Sequence, residues 1–232
     1  MKKFFQKVGI LGIFFCLLFL PVLIMGQQIT IIASIDNMLY ETSTDSSSSD
    51  TVYSSSYNGV GTNRDKSMNE YWVWESLIWF DLRPVMGKTI KKAEIVLTPE
   101  VLAVDAYGNT YYYLAVVSDP WNGSTVTMNN QPRVYTGWWA PFNVPTSTVP
   151  IALDVTDPVK YWSDSTYINY GFALKDNGGI HDYSYNYATF FGSIERTGTT
   201  SPILIVDFEG DGDNGDGAAI VPSIIFPLLL QE

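Results

Sequence analysis

This chain of 232 residues is short of histidine, cysteine and charge, and each shortage removes a class of chemistry. Its one cysteine, Cys16, lies in an apolar run near the N-terminus, so the rest of the chain has no thiol for a disulfide, a nucleophile or a zinc ligand. Its one histidine, His181 in "GGIHDYSYNY", has no second imidazole to complete a zinc site. Asp182 follows it, but no Gly-x-Ser-x-Gly turn supplies an exposed serine, so a loop position or surface contact is the simpler account. Lys and Arg number 13 against 24 Asp and Glu, a net charge of −11, which excludes long-range attraction to nucleic acid and anionic membranes. Only 16% of residues are charged, which excludes coiled coils and helical repeats.

What is present begins with a basic start, "MKKFFQK", followed by "VGILGIFFCLLFLPVLIMG". Residues 1–26 read as a secretory signal peptide, and the expected location is secreted, extracellular or cell-surface. A retained anchor is the alternative, because the run is long and Ile24 stands where a small residue is usual. Losing Lys2, Lys3 and Lys7 with the leader takes the net charge from −11 to −14. Partners are then expected to be neutral, cationic or bridged by metal.

Aromatic residues make up 15% of the chain, with 15 Tyr and 7 Trp, a composition that suits pleated, packed surfaces. Apolar runs recur at 28–34, 71–82, 89–98, 110–117, 148–155, 169–175, 187–193 and 202–208, separated by Gly, Pro, Asn and Asp. Short punctuated runs of this kind predict an all-β antiparallel sandwich or barrel over residues 27–208. "TDPVKYWSD" (156–164) predicts the one short helix, with Thr156 as cap, Pro158 in the first turn, and Val159 and Trp162 on one face. Residues 42–69 are polar and read as exposed loop around a weak strand near Val52–Tyr57. "EGDGDNGDG" (209–217) is an acidic, Gly-rich linker. Counted from Asp211 it puts Gly215 at position five and Pro222 at position twelve, which fails as a calcium loop. The apolar tail 218–232 is too short to span a bilayer and carries Pro222 and Pro227. A sorting signal, a strand docking on a partner or a second copy, and a fold-back segment all fit it.

The order of several motifs then points further. "SIDNMLYE" (34–41), "ESLIWFDL" (75–82), "GKTIKKAEIVL" (87–97), "WNGSTVTMNNQP" (121–132), "ALDVTDPVKYWSDSTYINYGFALK" (152–175) and "FFGSIERTGTTSPILIVDF" (190–208) occur in sequence. Together they resemble the DNRLRE domain family, over nearly all of residues 28–208. The resemblance implies a β-sandwich of jelly-roll type and a non-catalytic carbohydrate-binding or cell-surface-binding role, with a polysaccharide or cell-surface glycan as partner. The chain departs from the family pattern at Glu75 and Trp79, where arginine is usual, at Asn122-Gly123, where Glu is usual, and at Met128, where Trp is usual.

Within this frame "DNMLYE" reads as the first strand, with Met38 and Tyr40 on one face and Leu39 on the other. Glycosidic hydrolysis needs two carboxyls at a set separation. Asp36, Glu75, Asp81, Glu195 and Asp207 show no characteristic spacing, so no catalytic residue is assigned. Along 71–82, Trp72, Trp74, Ile78, Phe80 and Leu82 share one face, and Val73, Glu75, Leu77, Trp79 and Asp81 the other. A strand apolar on both faces is covered twice or displays an aromatic. The candidate ligand-binding residues are therefore Trp79 flanked by Glu75 and Asp81, and Trp138 and Trp139 on a loop. Core packing and loop anchoring is the simpler account of the same tryptophans. Asp36 and Asp207 are the candidate ligands for a structural calcium. The alternative to glycan binding is a structural surface, matrix or appendage protein that assembles through its tail or sheet edges.

Overall fold

The computed structural model describes residues 26–44, 47–53, 57–65, 70–102, 111–176, 188–194 and 200–210. The leader up to residue 25, His181, Glu195 and the spacer and tail from residue 211 onward lie outside the described residues. The strands are β1 (Gly26–Ile32), β2 (Ile35–Thr44), β3 (Ser47–Tyr53), β4 (Tyr57–Asp65), β5 (Glu70–Trp79), β6 (Ile90–Leu97), β7 (Pro99–Val101), β8 (Tyr111–Val117), β9 (Val134–Asn143), β10 (Ile151–Asp154), β11 (Phe172–Lys175), β12 (Thr189–Gly192) and β13 (Ile203–Glu209). One helix, α1 (Thr156–Ser163), follows β10.

The strands form two antiparallel sheets, a four-stranded one in the order β1-β13-β6-β10 and a nine-stranded one containing β5-β11-β8-β9. Counting β1, β5, β6, β8, β9, β10, β11 and β13 as one to eight gives sheets 1-8-3-6 and 2-7-4-5. That is the double Greek key of a jelly roll, so the expected fold class holds. β2 runs along β5 from Ile35↔Trp79 to Thr44↔Glu70, and β3 pairs with β2. β4 crosses from β5 to β12 near Gly61, whose φ of 118° suits glycine.

The main core lies between the sheets. Ile31, Ile95, Leu97, Leu204 and Val206 come from the smaller sheet, and Ile78, Tyr112, Leu114, Phe172 and Leu174 from the larger. Period-2 alternation supplies these side chains, as in β13, where Leu204, Val206 and Phe208 are buried and their neighbours half-buried. Val159 and Trp162 turn inward from α1, and the Trp162 ring meets Phe172 edge-on at 4.8 Å. Truncating a buried Trp of this kind costs about 3–5 kcal/mol.

Three expectations are corrected. Thr156 does not cap α1: its hydroxyl lies on Ala93 of β6, and Asp154 Oδ1 instead accepts from the Thr156 N–H at 2.9 Å. Residues 42–69 contain all of β3 and β4 as well as the end of β2, because Ser- and Thr-rich segments find ladder partners that their polarity does not advertise. "TGWWAPF" is not a loop but part of β9, at the end of the nine-stranded sheet path.

Candidate functional site

On β9 the two tryptophans point to opposite sides. Trp138, Ala140 and Phe142 pack against the main core, and Trp138 meets Phe172 at 6.1 Å. Trp139 lies on the outer face, edge-on to Tyr113 at 5.3 Å. Where β9 passes α1, a groove of about 650 Å³ opens, lined by Tyr135, Trp138, Asp157, Tyr161, Tyr167 and Ile168, among others. Tyr135, Tyr161 and Tyr167 are about half exposed, at 55%, 48% and 61%. The rings of Tyr161 and Tyr167 stand edge-on at 5.5 Å. Tyr135 folds along its own strand, so a Cβ on Gly137 would meet its ring at 2.7 Å.

The turn after α1 builds one wall. Ser165 takes a left-handed φ of 63°, with its N–H on Trp162 O at 3.2 Å. Asp164 Oδ1 accepts from Thr166 N–H at 2.8 Å, and hydrogen bonds from the Thr166 side chain and then from that N–H hold the Asp164 carboxyl below its ordinary value. Tyr167 N–H then returns to Tyr161 O at 3.1 Å, bringing Tyr167 beside α1. "NYG" (169–171) ties this turn to the sheet. Asn169 Nδ2 donates to Phe80 O at 2.8 Å, and Gly171, at φ 89°, passes so close to β5 that a Cβ would strike the Ile78 carbonyl.

Trp79 belongs to the same tether. It is half-buried, and its Nε1–H donates to Asn169 O at 3.1 Å. Trp79 thus anchors the loop leading from the groove wall into β11. Its proposed companions have other partners. Asp81 holds Arg83, with Nε–H donating to Oδ2 at 2.7 Å, and its carboxyl is held below the ordinary value by that bond. Glu75, with its side chain 14% exposed, is paired with Lys175, whose Nζ also donates to Gln131 Oε1 at 2.8 Å. Burial pushes the Glu75 carboxyl up, against the opposing pull of Lys175.

This face of β5 is covered. Val126 and Met128 from the 118–133 loop pack on Leu39, Val73, Leu77 and Ala173 as a second small core. Trp121 Nε1–H donates to Tyr170 O at 2.7 Å, and Asn37 Nδ2–H donates to Gly123 O, which pins the loop down. The closeness of Gly123 to Asn37 and Ile35 explains a glycine there, since a Cβ would sit 3.2 Å from each side chain. Asn37 holds the loop, and Asp36 Oδ2 accepts from Asn58 Nδ2–H at 2.8 Å and Ile194 N–H at 3.1 Å.

Asp36 and Asp207 do not share a site. Asp36 lies on the nine-stranded sheet, and Asp207 lies on the four-stranded one, accepting from Gln28 Nε2–H at 2.7 Å. Among the described residues no cluster of three or more His, Cys, Asp or Glu side chains is placed to hold a metal ion. The structure thus brings Trp138 to the groove, puts Trp139 and Glu75 on the outer face of the larger sheet, where Glu75 is taken by Lys175, and pairs Asp81 with Arg83.

An aromatic-lined groove on a jelly roll is a surface suited to sugar rings, and residues 36–207 match the family model described as carbohydrate-binding module family 96. The chain belongs to carbohydrate-binding module family 96. No curated protein matches it. Membership of family 96 makes this domain a non-catalytic carbohydrate-binding module, and its ligand a carbohydrate. The tyrosines of this family 96 domain were missed in the sequence. A signal existed for Tyr161: if Val159 and Trp162 face inward, the next position round the helix displays its ring to solvent.

Proposed function

We propose that the domain holds a polysaccharide or cell-surface glycan in the groove between β9, α1 and the 164–170 turn. The observation that carries this is the exposure of Tyr135, Tyr161 and Tyr167 around one groove that also offers Asp157. Sugar rings present apolar C–H faces to aromatic rings and hydroxyl edges to polar groups, and this lining supplies both. Trp138 closes the floor, while Trp79 acts through Asn169 to keep the wall in place. The DNRLRE-type motif order accords with this role, and an N-terminal leader of signal-peptide character fits work outside the cell, on secreted or surface glycans.

A glycan array with the purified protein tests the reading. Tyr161→Ala combined with Tyr167→Ala should abolish binding while leaving the thermal unfolding midpoint nearly unchanged, because exposed side chains contribute little to stability. Trp139→Ala, on the opposite face of β9, should retain binding. The reverse pattern would move the site to the outer face of the sheet.

A further inference from the structure

Resting on that reading of the groove, we propose that the outer face of β8 and β9 is a second carbohydrate platform, on which Tyr111, Tyr113 and Trp139 hold a further stretch of a polysaccharide already seated in the groove. Neither hydrophobic core includes these three rings, even at its margin. Elsewhere the outer face of this sheet is covered, where the 118–133 loop lays Val126 and Met128 on it. Tyr113 stands between the other two, edge-on to Tyr111 at 6.1 Å and to Trp139 at 5.3 Å, so the rings form one continuous strip. Each is half-buried, which fixes the ring and leaves part of it open to solvent. Tyr111 and Tyr113 also line an open cavity of about 460 Å³ with Pro141, Phe142 and Asn143. The exposed Asn143 amide both donates to and accepts from hydroxyls, beside rings that suit the C–H faces of a sugar.

The strand between the two sites serves both. β9 pairs Trp139 with Ala115 but Val134 with Val117, a bulge that sets five steps of β9 against two of β8. Bulges re-aim side chains, and this one lets Val134 pack under the loop and Tyr135 line the groove, while Trp138 faces inward and Trp139 outward. β9 ends the sheet path, and among the described strands only β8 pairs with it, so one edge strand separates groove from platform. Lys175, opposite Tyr113 in the register, is engaged by Glu75 and Gln131, which leaves the ring faces and the Asn143 amide as contact groups. A chain held in the groove meets the platform as an intramolecular event, and linkage of that kind raises overall affinity by about 10²–10⁴ without requiring a strong second site.

The test compares chain lengths. The purified full chain is titrated with xylan, mannan, mixed-linkage glucan and a polyuronate, each as the polymer and as its di- to tetrasaccharide fragments. We expect a polymer that binds to outdo its own fragments by at least about tenfold. Tyr111→Ala/Trp139→Ala should remove that advantage and leave fragment affinity within about twofold of the natural protein's, because fragments fill the groove alone. Asn143→Ala, which removes no ring, should reduce the same advantage about threefold, as loss of a neutral hydrogen bond does. Tyr161→Ala/Tyr167→Ala should lose fragments and polymer alike, since the open platform by itself holds a chain too weakly to register. No polymer advantage in the natural protein, or no binding of any member by folded protein, would overturn the proposal. The two readings fail separately. Fragment binding kept in Tyr161→Ala/Tyr167→Ala sinks the groove, and the pairing of sites with it. Fragment binding lost there, with the polymer advantage intact in folded Tyr111→Ala/Trp139→Ala, leaves the groove standing and sinks the platform alone.

Discussion

At the residue scale, a buried ion pair does most to separate what a side chain is from what it does. Glu75 stands beside an exposed-looking tryptophan in the sequence, yet in the fold it faces Lys175 beneath the 118–133 loop. Folding raises its pKa above 4.5, because burial outweighs the attraction of Lys175. The folded protein therefore binds that proton more tightly than the unfolded chain. The stability this contributes is complete below pH 4.5 and is lost as pH rises through the raised value. Asp81, Asp119, Asp154 and Asp164 are held below 3.8, so their contribution is present above that pH and lost as pH falls. Urea midpoints should thus decline above pH 4.5 in the natural protein and stay flatter over that window in Glu75→Gln. Lys175→Met, which strands a buried carboxylate, should cost about 3 kcal/mol at neutral pH. A Lys175→Met variant as stable as the natural protein would show the pair to be idle.

At the scale of elements, β5 was legible and β9 was not, and the reason is pattern strength. β5 carries apolar side chains on both faces, and the structure covers both: Ile78 faces the main core, while Val73 and Leu77 face the loop. The sequence left open whether the second face is covered or displays an aromatic. The 118–133 loop decides it through a contact between segments about 50 residues apart, which no local periodicity encodes. β9 was hidden because Gly137 and Pro141 read as turn residues, and an edge strand tolerates both. If the loop is the outer cover of the sheet, Val126→Ala should lower stability by about 2 kcal/mol in chemical unfolding, as a buried truncation does, and leave glycan affinity in the groove unchanged. An effect below about 0.5 kcal/mol would instead make the loop an unessential flap.

For the whole molecule, the jelly roll brings together segments that lie far apart in the chain. The groove draws Ser118, Trp138, Asp157 and Tyr167 from β9, α1 and two connecting loops. Ligand bound at such a junction clamps the folded form without needing affinity for the unfolded chain. A bound carbohydrate at about 100 times its Kd should add about 2.7 kcal/mol and raise the unfolding midpoint by roughly 5–10 °C. The same addition to Tyr161→Ala/Tyr167→Ala should leave the midpoint where it was. A shift preserved in that variant would point to binding elsewhere on the sandwich.

Local chemistry in the sequence determined the strand-rich composition, the alternation that packs β13 and the inward pair on α1. Each follows from residue type or from a period of two or 3.6, and so needs only neighbours in the chain. The motif order resembling the DNRLRE family carried the class of fold and ligand. Tertiary structure alone decided that Asp36 and Asp207 lie on different sheets, that Glu75 is buried, and that Trp138 and Trp139 serve opposite faces. It also gathered the three exposed tyrosines around one groove, because strand pairing and the crossing of α1 over the sandwich set which distant side chains meet.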